Sequence, residues 1–403
     1  MSSIYKSANV YEEAIKRINM VFDYKDDIIV TMSGGKDSTT VFNLALNIAR
    51  ERNRLPLKVM WLDQEVEWQN TVDYMNEIMH MPEVKPFWFQ IPFEFPNNLA
   101  VADGKESLLI WDPAQKGKWV HPQSDIAITE CPFEFDIYSS RDKAFYTLMD
   151  KLPDYCADKD ATSCGVLSGM RAVESLQRRT AIMYGSATFR GETWARKASA
   201  GTKCQVCWPI YDFTSDDVWT AIAKNHWKYN KCYDLMYRYG VRKDRMRVSA
   251  LIHETAWGAI ETLQTFEKDT YNRLSARVSG VSTFAHLFDF KSAGTNLGHG
   301  NIVPQELPFM FADWKEYRDY LLEHLIEPKY WEKYRNEWRN QEGENWYRVH
   351  VKEVVLNDTC GTINESWDRT VNLRERRANG EFRERDKEDY KNFIAFMEGE
   401  NGN

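Results

Sequence analysis

Amphipathic stretches and short apolar runs take turns over the first quarter of the chain. Tyr11, Ala14, Ile15, Ile18 and Phe22 recur at helical spacing, which predicts an amphipathic helix over residues 4–22. Asp27-Ile28-Ile29-Val30-Thr31-Met32 is a β-branched run of the kind that fills a buried parallel strand. It runs into Ser33-Gly34-Gly35-Lys36-Asp37-Ser38, after which Val41, Leu44, Ala45, Ile48 and Ala49 fall on one helical face. A second strand is predicted at 57–62, a helix at 68–79 and a third strand at 87–91. This order of strand, helix, strand, helix, strand implies an α/β fold with a parallel sheet.

Further along, residues 92–132, punctuated by Pro and Trp, read as loop or insertion. A helix is expected over 141–151, a fourth strand over 165–168 and a helix opened by Thr214-Ser215-Asp216-Asp217. A further helix is expected to start near Arg171. Its Arg171, Glu174 and Arg178 would share one face, with Glu174 orienting both guanidinium forks toward an anion. From about residue 249 the pattern is helical and charged, so the expected division is 1–248 for the α/β domain and 249–403 for a helical C-terminal domain. Trp331, Tyr334 and Trp338 repeat at helical spacing among equally frequent acids and bases. A packed helix face fits this better than a stacking surface for nucleic-acid bases.

Composition narrows the classes. The chain has 403 residues, 43% hydrophobic and 28% charged, which is ordinary globular usage and excludes fibrous or wholly disordered character. No run approaches the roughly 18 apolar residues of a membrane span, and the first residues lack an apolar signal core, so a cytoplasmic protein is expected. The net charge of −8 hides a basic island. Residues 171–247 hold 15 Lys or Arg and 7 Asp or Glu, as expected of a site for phosphate, sulfate or nucleic acid, or of a solvated face.

The 33–38 loop has a physical task. Glycines let backbone N–H groups turn toward a phosphate, and the following helix adds unpaired donors and partial positive charge. The Ser33 and Ser38 hydroxyls can donate to it, Lys36 adds a charge, and Asp37 can hold Mg²⁺ or orient the helix start. The spacing is neither Walker A nor Gly-x-Gly-x-x-Gly. Cys204-Gln205-Val206-Cys207 has knuckle spacing for Zn²⁺ or an iron–sulfur cluster, with Cys131, Cys156 and Cys164 as further ligands; a redox pair, or two packed thiols, remains open. His121, His299 and His350 show no metal spacing and are expected as surface or satisfied core residues.

SGGKDS resembles the signature of the PP-loop ATP pyrophosphatases, the adenine nucleotide alpha hydrolase-like proteins. Four more segments resemble the phosphoadenosine phosphosulfate reductase and ATP sulfurylase small-subunit branch, in order over residues 25–245. They are Trp61-Leu62-Asp63-Gln64-Glu65 with Thr71; Gly169-Met170-Arg171 through Glu174-Ser175 to Arg178; Trp208-Pro209-Ile210 through Thr214 to Asp217-Val218-Trp219; and Asn230-Lys231-Cys232-Tyr233-Asp234. The resemblance implies that residues 1–248 form a nucleotide-binding domain on a Rossmann-like sheet and that Ser33, Gly34, Gly35, Lys36, Asp37, Ser38, Asp63, Glu65, Gly169, Arg171 and Glu174 bind an adenine nucleotide, with Asp63 near the adenosine. Lys36, Asp37, Arg171 and Arg178 would carry catalysis. ATP and Mg²⁺ are the implied cofactors.

The reductases attack with a cysteine in a Glu-Cys-Gly-Leu-His segment, which is absent here; Cys360-Gly361 comes nearest. The intact SGGKDS loop favours cleavage of ATP between the α and β phosphates to adenylylate an acceptor, in sulfur metabolism or nucleic-acid sulfur modification. Phosphosulfate reduction is one alternative. Met246-Arg247-Val248 and the long helical extension resemble a subgroup linked to transcriptional co-activation and ParB-like partners, so a nucleotide-binding regulator is the other.

Overall fold

The computed structural model describes residues 8–97, 107–138, 143–183, 189–196, 201–241, 243, 246–253, 257–278, 281, 306–326 and 328–355. Contacts divide the chain into two compact units, residues 1–100 with 107–298, and residues 101–106 with 299–403.

The first unit opens with α1 (Val10–Tyr24), capped by the Asn9 side chain, which accepts from the Tyr11 amide. Then follow β1 (Asp27–Thr31), α2 (Lys36–Glu51), β2 (Leu57–Leu62), α3 (Gln69–Met79) and β3 (Val84–Phe89). After these come α4 (Lys143–Cys156), β6 (Cys164–Leu167), α5 (Leu176–Met183), β7 (Cys204–Cys207), α6 (Ser215–Lys224) and α7 (Cys232–Tyr239). The predicted α2 face is in place, since Val41, Leu44, Ala45, Ile48 and Ala49 are all buried.

The five strands form one parallel sheet in the order β3-β2-β1-β6-β7. Val30 lies opposite Val59 on one side and Leu167 on the other. Every residue of β2 and β6 is buried, so neither alternates, and the one charge in β2, Lys58, is paired with Asp27 and Asp158. The chain steps from β1 to β2 to β3 in one direction, then returns to place β6 on the other side of β1. The strand order therefore reverses between β1 and β6, and the place beside the loops after these two strands, at the sheet's C-terminal edge, is the crevice where open α/β sheets take their ligands.

Two expectations need correction. Residues 92–132 are not all loop. β4 (Phe93–Pro96) and β5 (Ser107–Ile110) pair antiparallel and bury Phe93, Phe95 and Ile110, and a 3₁₀ turn follows at Pro113–Lys118. Strands of four residues are too short for their alternation to stand out in sequence. The helix expected at Arg171 starts only at Leu176, with turns before it.

Thr214 and Asp217 form a full capping box at α6, as the residue types predict. The start of α3 is capped from far away. Glu267 accepts from the Gln69 and Asn70 amides at 2.8 and 3.1 Å. Glu267 lies between α8 (Trp257–Phe266) and α9 (Lys268–Arg277), so the first compact unit continues past residue 248.

The second unit contains α10 (Trp314–Leu325), α11 (Pro328–Glu337) and α12 (Glu344–Val355). Tyr334 and Trp338 are buried, and His350 stacks on Trp338 with ring centroids 4.6 Å apart. The aromatic repeat is thus a packed face. No helix among the described residues is long and apolar enough to cross a membrane.

Candidate functional site

The crevice is lined by the loop after β1, the first turn of α2 and the segment after β6. Gly34 has φ +69°, and a Cβ there would lie 2.6 Å from Thr71 Cγ2, so the turn needs glycine. Gly169 sits where a Cβ would be 2.7 Å from the backbone of Asp37 and Ser38. The two loops of the crevice therefore touch backbone to backbone, which explains the glycine of that motif.

Inside the loop, the Ser33 and Ser38 hydroxyls are 3.2 Å apart, and the Ser38 hydroxyl donates to the Gly35 carbonyl at 3.0 Å. Gly35 has no side chain to cap α2. The Lys36 amide instead donates to the Tyr233 hydroxyl at 2.9 Å. Asn230 holds the turn by donating to the Gly34 carbonyl at 3.1 Å and to Thr71 at 2.9 Å. Tyr233 and Asn230 were not among the expected site residues. Their Asn-x-x-Tyr-Asp motif was the available signal, but only the fold brings residues 230–233 to residues 34–36.

The charged groups form a chain of pairs. Lys36 Nζ is 3.1 Å from Asp37 Oδ2, and Arg171 Nε is 2.7 Å from Asp37 Oδ1, a close ion pair rather than an aligned hydrogen bond. Arg171 also reaches Glu174 at 3.3 Å, and Glu174 in turn pairs with Arg178. So Lys36, Asp37, Arg171, Glu174 and Arg178 are together, as expected, although turns and not one helical face join Arg171 to Glu174. The side chains of Lys36 and Arg171 are each only 5% exposed. Burial lowers the Lys36 ammonium; Asp37 opposes this, while Arg171 and Arg247 add to it. Burial, then Arg247, lowers the Arg178 guanidinium. Both directions describe cations crowded without enough negative charge, the condition an anionic ligand relieves.

Asp63 and Glu65 are placed differently. Asp63 is fully buried in the loop after β2. Its carboxylate accepts from the Glu65 amide at 2.9 Å, Trp88 Nε1 at 2.9 Å and Gln90 Nε2 at 2.8 Å, with His121 Nε2 at 3.3 Å. Glu65, at φ +65°, is also fully buried; it pairs with Arg277 at 2.7 and 3.1 Å and accepts from the Trp111 amide. Both carboxylates hold the loop through internal partners. Burial pulls the His121 imidazole down, but Asp63 more than offsets it and the net direction is up.

Asp37 has both oxygens engaged by Arg171 and Lys36, so it does not present a free carboxylate to Mg²⁺. Cys204 and Cys207 are the two ends of β7, and residues three apart on a strand face opposite sides of a sheet. Cys204 lies opposite Cys164 on the neighbouring strand. No group of three or more His, Cys, Asp or Glu among the described residues is placed to hold a metal. Cys360 and His299 lie outside the described residues.

This is an α/β protein with a cationic crevice at the point where its strand order reverses. No protein-family model matches the chain. It is 28% identical over 388 residues to the uncharacterized protein YbdN of Escherichia coli K12, an alignment covering 91% of this chain and 88% of that one. Among solved structures, phosphoadenylyl-sulfate (PAPS) reductase from Candida auris, in a phosphate complex, is similar with a TM-score of 0.31 and 12% identity, over 58% of this chain and 94% of that one.

Proposed function

We propose that the crevice binds the phosphates of an adenine nucleotide and that the chain cleaves ATP between its α and β phosphates to adenylylate an acceptor. The observation that carries this reading is the glycine turn and helix start at residues 33–38, set at the strand-order switch and faced by Lys36, Arg171 and Arg178. In the reaction an acceptor oxygen attacks the α-phosphorus, the bond to the α–β bridging oxygen breaks and pyrophosphate leaves. Lys36 and the two arginines neutralise charge on the leaving phosphates, while Asp37 and Glu174 fix their directions.

Titration calorimetry with ATP tests the binding step, and release of pyrophosphate with AMP, water acting as acceptor, tests the cleavage. Wild-type protein is expected to bind ATP and to form both products. A ligand at about 100 times its dissociation constant should stabilise the fold by about 2.7 kcal/mol. Lys36→Met should abolish both binding and cleavage while the circular dichroism spectrum stays unchanged. Absence of ATP binding by the wild type would overturn the proposal. Binding without any cleavage would reduce it to nucleotide recognition.

A further inference from the structure

Lys243 and Leu251 are tied to elements that follow β7 and β2, the strands on either side of the β1–β6 pair. Lys243 forms an ion pair with Asp216 in the first turn of α6. Eight residues on, the Leu251 amide donates to the Val66 carbonyl at 2.7 Å, in the loop after β2. Arg247 is midway, four residues from each anchor, within about 14 Å of either at full extension. Met246, Ala250, Leu251 and Ile252 are buried and fix the segment, while Arg247 is half-buried.

Arg247 differs from the other cations nearby. Lys36 has Asp37, Arg171 has Asp37 and Glu174, and Arg178 has Glu174. Arg247 makes no hydrogen bond or ion pair among the described residues. Yet it acts on both Lys36 and Arg178, lowering each, and its effect ranks higher at Arg178 than at Lys36. Among the described residues these four cations share two carboxylates, and Arg247 is the guanidinium with no ion pair there. Like charges gathered at one place repel one another in the free protein. An incoming polyanion removes that penalty.

We propose that Arg247 is a ligand-binding residue of the crevice that, with Arg178, takes the distal phosphates of a polyphosphate chain whose proximal end lies on the 33–38 loop. The inference rests on the reading of the crevice as a phosphate site. It makes Arg247 a determinant of phosphate-chain length: a triphosphate reaches it and a monophosphate does not. Arg and Lys are not equivalent in this role, because only the guanidinium offers a planar fork to phosphate oxygens.

The test compares wild type with Arg247→Gln and Arg247→Lys by calorimetry against ATP, AMP and inorganic tripolyphosphate at fixed salt. Arg247→Gln should lose at least about tenfold in affinity for ATP and tripolyphosphate, about 1.4 kcal/mol, with AMP unchanged. Arg247→Lys should recover part of the loss. The unliganded melting midpoint of Arg247→Gln should equal or exceed that of wild type, since an unpaired cation has been removed. Equal ATP affinity in Arg247→Gln and wild type would overturn the inference, as would a fall in the unliganded midpoint with equal losses for all three ligands. If wild type binds tripolyphosphate but no nucleotide, the adenine-nucleotide reading fails, and the tripolyphosphate measurements still decide the role of Arg247.

Discussion

Two charged clusters border the same edge of the sheet and have opposite characters. After β2, Asp63, Glu65, His121 and Arg277 are closed on one another. After β1 and β6, Lys36, Arg171 and Arg178 share Asp37 and Glu174 and remain short of negative charge. Both clusters come from motif-like sequence, and both are rich in acids and bases. What separates them is whether each buried charge already has its partner. A completed cluster stabilises the fold; an incomplete one is poised for a ligand.

The largest expected effect would break the closed cluster. Arg277→Met leaves the Glu65 carboxylate buried and unpaired, and should cost about 3–5 kcal/mol in a denaturant titration. Tripolyphosphate binding per folded molecule should be retained. If binding fell and stability held, Glu65 would belong to the ligand site and the contrast between the clusters would vanish.

A smaller effect comes from pressing on the open cluster. Gly169→Ala puts a methyl 2.7 Å from the Asp37 and Ser38 backbone, a clash that should cost about 1–3 kcal/mol as the loops part. Polyphosphate affinity should fall with it, because Asp37 moves relative to Arg171. An alanine variant with unchanged affinity would show that the crevice does not depend on this contact.

The mildest perturbation is pH, and here the two units should respond oppositely. The His121 value is raised, so its contribution is complete below the ordinary histidine value of 6.5 and is lost as pH rises through the folded value. Glu67, raised first by burial and then by Asp63, acts in the same direction from 4.5 upward. In the second unit burial and Arg318 lower His350 to about 3, so its contribution is complete above 6.5 and is lost as pH falls toward 3. Each single group changes stability by at most about 1.4 kcal/mol per pH unit. Melting curves of His121→Gln and His350→Gln against pH check the signs, and a flatter alkaline limb is expected only for the former.

The local grammar of the chain was readable because neighbouring residues carry it. β1, the glycine turn and α2 follow from one apolar run, two glycines and a 3.6-residue repeat. The grouping of Lys36, Asp37, Arg171, Glu174 and Arg178 was anticipated too, even though the helix expected to align Arg171 starts five residues late. Roles set by distant partners were not readable. Asp63 is held by Trp88, Gln90 and His121, and Glu65 by Arg277, 212 residues away. The Cys-x-x-Cys spacing could not announce that it would be a strand, where its thiols part to opposite faces.

Tyr233, whose hydroxyl caps the Lys36 amide, lies edge-on to Trp219 with ring centroids 5.1 Å apart. An indole is therefore one ring removed from the 33–38 loop. Any occupant that competes for the Lys36 amide must disturb the phenol and, through it, the emission of that indole. The chain has 15 tryptophans, so subtracting the spectrum of a Trp219→Phe variant would isolate the signal. The fold has in effect wired a fluorophore to the 33–38 loop, and occupancy there could be followed optically without a label.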